Sequence, residues 1–185
     1  LCVSEKKKQK VRFRSQLAWT LLLQGGGAVA GILTISLLGI HLGPEAQGSF
    51  SLIKMEVSFI GSLAMLGLTQ SLFYFVQSYR MSIQKAKVIA KSLAALGGLF
   101  ALGYGLFVQI WAWLDIIAFV FACVFYVWYG ILRGIILAAA NTRIFNILTI
   151  LPQVLLLFYA GFAVAVGNIS NFNILFAFAA VFYIS

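Results

Sequence analysis

The chain has little chemistry of the usual catalytic kinds. It has one histidine, two cysteines and four acidic residues. General acid/base catalysis needs positioned carboxylates or imidazoles. Glu5, Glu45, Glu56 and Asp115 are scattered over different segments, with His41 apart from them. No His/Cys cluster offers a metal site, and no Cys/His pair offers a nucleophile. Cys2 lies in a basic tail and Cys123 inside an apolar run, so no disulfide is expected between them. No glycine motif of the phosphate-cradling kind occurs, so nothing calls for a nucleotide or another cofactor. The expectation is a protein that is not an enzyme.

Charge of any kind is also scarce. Only 9% of residues are charged, whereas 63% are hydrophobic. Soluble domains carry about 25% charged residues, so the composition is that of an integral membrane protein. What the chain does have is long apolar runs. Five are long enough to cross about 30 Å of hydrocarbon, which takes about 20 residues. They are read as spans over 16–42, 50–77, 88–112, 116–140 and 145–166, and a sixth, 172–185, is cut off by the C-terminus. The expected fold is an all-α membrane protein, a polytopic helix bundle behind a basic tail at 1–15. The runs are too long for barrel strands.

The net charge of +9 would suggest nucleic acid in a soluble chain. Here it is confined to alternate connections. Six Lys and Arg precede the first span, four lie between the second and third, and Arg133 and Arg143 flank the fourth-to-fifth connection. Basic loops stay inside the cell, so this pattern puts the N-terminus in the cytoplasm. The partners it implies are anionic membrane lipids, not nucleic acid. Of the 13 basic residues only Lys54 departs from the rule.

Within the spans, polar residues and glycines form patterns. Gln16, Thr20, Gln24, Gly27, Gly31 and Thr34 recur every three or four residues. In lipid, such a stripe faces other helices or a wet cavity. Gly25, Gly26 and Gly27 weaken the helix near its middle and serve either close packing through Gly27-x-x-x-Gly31 or a hinge. The segment from His41 to Gly48, with Pro44, reads as the turn into span two. Asp115 reads as the N-cap of span four. Lys54 and Glu56 are two positions apart, which is 200° on a helix, so they point to nearly opposite sides. With span two starting at Phe50, both lie roughly 7–10 Å from its outer end. Lys54 either snorkels to the interface or faces a cavity. Gln24, Gln70, Gln109 and Gln153 read as interhelical hydrogen bonds. Gln24, beside the glycines, and Gln153, after Pro152, are the better candidates for a site. Arg133, flanked by Gly130 and Gly134, lies near the inner interface and reads as an anchor or as a cavity rim.

The segment Leu42-Gly-Pro-Glu45-Ala-Gln-Gly48-Ser-Phe-Ser51 resembles the turn between the first two helices of the polysaccharide flippases. These belong to the multidrug/oligosaccharidyl-lipid/polysaccharide exporter superfamily. Gly67-Leu-Thr-Gln and the segment Arg133 to Asn146 are similar to further patterns of that family. The resemblance implies the N-terminal lobe of a two-lobe, V-shaped transporter working by alternating access. It implies a bacterial or archaeal cytoplasmic membrane. The substrate would be a lipid-linked oligosaccharide, typically on undecaprenyl diphosphate, with a glycan polymerase as partner. In this sequence Lys54 would meet the diphosphate, Arg133 would stand at the rim, Gln24, Gln70 and Gln153 would bond sugar, and Gly25–Gly27 would bend. Two other readings stand beside it. One is a multidrug or cation antiporter of the same superfamily, which would want acidic cavity residues. The other is a non-transporting scaffold subunit, which would bury its polar stripes in helix contacts.

Overall fold

A computed structural model gives the structure of the chain. It describes residues 2–67, 71, 74–75, 82–108, 113–138, 142–167 and 171–184, with side chains from residue 18 onward. Among the described residues there is no strand. Among the described residues six bounded helices follow in order: α1 (Cys2–His41), α2 (Gly43–Met65), α3 (Ile83–Val108), α4 (Trp113–Ala138), α5 (Thr142–Val166) and α6 (Asn171–Ile184). Within α1, α3, α4 and α5, segments of at least 24 residues are long and apolar enough to cross a membrane. The expected helical bundle is therefore present. Among the described residues, four of the five expected complete spans meet that measure. α2 carries Lys54 and Glu56 in its middle, and α6 is short.

α1 is a single helix of 40 residues, about 60 Å at the α-helical rise. The basic tail and the first span are one rod. The helix continues unbroken through Gly25, Gly26 and Gly27.

The first turn is far tighter than its sequence suggests. Only Leu42 separates α1 from α2, and residues from Gly43 onward are already helical. Gly43 takes the left-handed conformation that reverses the chain, at φ +88°. Pro44 sits at the helix start, where a missing N–H costs nothing and a fixed φ suits the helix. Glu45 in the first turn complements the helix dipole. Pro44 thus opens the second helix instead of occupying a loop before it.

Span two is also displaced. α2 ends at Met65, where Leu66 (φ 43°) and Gly67 (φ 73°) both turn left-handed and the Leu66 amide caps the Ser62 carbonyl at 3.1 Å. The helix starts seven residues before the expected span, 50–77, and breaks after Met65; beyond the break Ser71, Tyr74 and Phe75 are helical, and 68–70, 72–73 and 76–77 lie outside the described residues. Asp115 falls inside the first turn of α4, which starts at Trp113. It favours the positive end of the dipole there and is not the N-cap. The connection at 109–112 lies outside the described residues.

α3 packs against α4, α1 against α5, and α6 against α4, while α2 lies among α1, α3 and α4. One core joins Phe50, Ile53 and Val57 of α2 with Phe119 and Cys123 of α4 and Ile174, Leu175 and Phe178 of α6. A second joins Ala64 of α2, Ala86, Ala90 and Ala94 of α3, and Val127 and Ile131 of α4. Small residues permit these approaches. A Cβ on Gly61 would stand 2.3 Å from the Tyr126 ring, and one on Gly130 would stand 2.8 Å from the Met65 sulfur. Large apolar side chains cover the outside, among them Leu22, Phe59, Phe107 and Phe158. That surface suits lipid, where close packing and not hydrophobic burial holds helices together.

Candidate functional site

Lys54 is the central residue of α2, with eleven helical residues on either side. The earlier start of the helix changes its depth. It lies about 16 Å along the helix from the first helical residue, further than the roughly 7–10 Å expected from a start at Phe50. Its side chain is partly buried and lines two adjoining cavities.

The first cavity, about 390 Å³, opens between α1 and α5. Gln24, Gly27 and Gly31 line it from α1, and Thr149, Ile150 and Gln153 from α5. The second, about 360 Å³, lies among α2, α4, α5 and α6. Ser58, Met65, Tyr126, Tyr129, Arg133, Pro152, Phe178 and Phe182 line it. Lys54, Thr149 and Gln153 belong to both, so the two volumes meet at these three side chains.

The polar stripe of α1 explains the first cavity. Thr20 accepts a hydrogen bond from the Asn146 amide of α5 at 2.7 Å. Gly26 and Gly27 lie against Ile150, and Gly31 lies against the Gln153 amide oxygen. Thr34 is buried and donates to the Ala30 carbonyl of its own helix at 2.8 Å. The stripe therefore turns toward α5, partly as close packing and partly as cavity wall. Gly25 meets nothing within 4 Å and stands exposed.

α5 contributes through a proline. Pro152 lies inside the helix and is buried. It has no N–H to give the carbonyl four residues back, which is that of Leu148. The Tyr129 hydroxyl of α4 donates to the Leu148 carbonyl instead. The missing backbone bond is thus replaced from a neighbouring helix, as lipid requires. Tyr129 is held in place by the same bond, with its ring in the second cavity.

Arg133 stands one turn beyond Tyr129. Its guanidinium carbon is 5.7 Å from the Tyr129 ring centre and 5.0 Å from that of Phe145. Both are cation–π distances. Its Nε is buried without a hydrogen-bond partner. Lys54 and Arg133 thus put two cations on one cavity, with no carboxylate among the described residues that line it. Glu56, the acid nearest in sequence, turns to α3, where it accepts a hydrogen bond from the Tyr104 hydroxyl at 2.9 Å. The opposed faces expected of Lys54 and Glu56 are present.

No family model, characterised protein or solved structure matches this chain.

Four of the five residues singled out in the sequence, Lys54, Gln24, Gln153 and Arg133, line this pair of cavities. Gln70 lies outside the described residues, as do Gln109 and Arg80. Sequence reasoning missed Thr149, Tyr126, Tyr129, Phe178 and Phe182. The aromatic residues lie in runs that read as plain membrane-span composition. Tyr129 had one usable signal, because Pro152 announces a carbonyl in need of a donor. Nothing in the sequence says which helix supplies it.

Proposed function

We propose that this chain is part of a flippase that moves a lipid-linked oligosaccharide across the bacterial or archaeal cytoplasmic membrane by alternating access. The observation that carries the reading is the convergence of Lys54, Arg133, Gln153 and Gln24 on adjoining cavities inside a lipid-suited bundle. An anionic headgroup cannot pass through hydrocarbon without a polar, cationic path. Lys54 at mid-helix and Arg133 would meet the diphosphate. Gln24 and Gln153 would bond sugar hydroxyls, with Gln70 added from the sequence. The aromatic faces of Tyr126, Tyr129 and Phe178 suit the flat apolar sides of sugar rings. The lipid tail would stay in the bilayer. Sequence resemblance at Leu42–Ser51 supports the same reading and adds the two-lobe arrangement and the glycan polymerase as partner.

Two observations favour this over the alternatives. A cation antiporter would want acid in the cavity, and Glu56 faces the other side of α2. A scaffold would close its polar stripe into helix contacts, and the α1 stripe borders a cavity. The test is Lys54→Ala, read as surface-polysaccharide export in a deletion strain at matched protein level. Export should fall at least about tenfold, the effect of losing roughly 1.4 kcal/mol of headgroup stabilisation. Unchanged export removes Lys54 from the mechanism. Thr20→Cys, Gln24→Cys and Gly27→Cys then separate transporter from scaffold. A thiol at Gln24 that a water-soluble reagent reaches supports the cavity, and thiols closed in every state support the scaffold.

A further inference from the structure

Glu56 has an environment that the cavities do not explain. Its Oε1 accepts the Tyr104 hydrogen bond from α3. Its Oε2 is buried and has no hydrogen-bond partner. Among the described residues no ion pair reaches it. Lys54 is two residues away but on the opposite face, lining the cavities. The titratable groups that interact with Glu56 are Tyr104 of α3 and Cys123 of α4, neither of them cationic. α1 brings His41, exposed at its end, and α6 brings Tyr183, exposed against Phe125. Glu56 is therefore an acid near the middle of a 23-residue helix, with one oxygen hydrogen-bonded, one bare, and no counter-charge among the described residues.

A carboxylate ion in such a place is strongly disfavoured. A neutral carboxyl with one unpartnered O–H costs far less. We propose that Glu56 is a proton-binding site, loaded with a proton on Oε2 while Tyr104 donates to Oε1. The proton comes from hydronium, whose O–H bond breaks and leaves water as the Oε2–H bond forms. Tyr104 fixes which oxygen becomes the carbonyl and which the hydroxyl. The site lies behind the Lys54 cavities and does not rest on the flippase reading.

The experiment uses the full protein in lipid vesicles with dicyclohexylcarbodiimide, which modifies protonated carboxyls in apolar surroundings. At neutral pH, mass spectrometry should find label on Glu56. It should find none on Glu45, an exposed acid on the same helix. No label on Glu56, or equal label on both, overturns the proposal without any variant having to fold. A second reading is the infrared carbonyl stretch of a protonated carboxyl at neutral pH. It should be lost in Glu56→Gln and move to higher frequency in Tyr104→Phe, where the carbonyl loses its donor. A band that is absent from the wild type, or that survives Glu56→Gln, overturns the site. A band that Tyr104→Phe leaves unmoved overturns the pairing.

Discussion

At the scale of single residues, Tyr129 and Pro152 form the most informative pair. Proline inside a helix ordinarily costs about 3 kcal/mol, partly through the bond it removes. In this bundle a hydroxyl from another helix takes over that bond. Tyr129→Phe keeps the ring and removes the donor, so stability in detergent should fall by about 1–2 kcal/mol. In a Pro152→Ala background the backbone N–H returns, and the same substitution should cost almost nothing. Equal costs in the two backgrounds would mean that the hydroxyl does not replace the backbone donor. Arg133 illustrates a different residue-scale point. Sequence position left it an interfacial anchor or a cavity rim, and in the structure it lines the second cavity and lies over two aromatic rings with a bare Nε. A linear sequence gives depth along a helix but not the rings that a neighbouring helix brings.

At the scale of elements, glycines separate packing from freedom. A Cβ on Gly61 would run into the Tyr126 ring, whereas a Cβ on Gly25 meets nothing within 4 Å. Gly61→Ala should therefore destabilise the bundle by about 1–3 kcal/mol through overpacking. Gly25→Ala should leave it unchanged or firmer by up to about 1 kcal/mol, the helix-propensity gain. Thermal unfolding of the two variants checks the contrast. If the glycine run is the hinge of a flippase, Gly25→Ala should also slow export while stability holds. Much at this scale was legible in the sequence. α4, α5 and α6 begin and end within about three residues of the expected bounds, because apolar runs with charged or polar ends have few ways to sit. α2 was misplaced because Pro44 and Glu45 read equally as turn residues and as a helix start. The left-handed residue Leu66 gave no warning. Only Gly67 after it did, and it stood inside an apolar run.

At the scale of the whole molecule, the charge pattern makes a claim that the fold does not itself decide. Basic connections on one side and short, nearly uncharged turns on the other set an orientation. Exposed positions on the described surface for checking it include Gly48 in the second turn of α2 and Ser82 before α3. In a background without Cys2 and Cys123, Gly48→Cys should react with a membrane-impermeant thiol reagent applied to intact cells. Ser82→Cys should react only after the membrane is opened. The reverse pattern would turn the molecule over. The candidate site was partly legible for the same reason that the orientation was. In a chain where charge almost always marks a loop, a lysine inside a span is conspicuous, and polar residues at helical spacing mark one face. Which helices close around that face is a property of packing, and so the aromatic lining and Thr149 stayed hidden.

The place of Lys54 halfway along α2 has an electrical consequence. If α2 crosses the membrane, a fixed positive charge at that place lies near the midpoint of the voltage drop, not at either terminal of it. Moving one elementary charge through the full drop is worth about 2.3 kcal/mol per 100 mV. An anionic headgroup carried outward from a negative interior would be driven by that field. At Lys54 it would have crossed about half the drop with its charge partly cancelled. Collapsing the membrane potential with an ionophore should then slow export by the same factor with Lys54 present as with alanine there, because a charge that stays in place does not alter the charge that crosses.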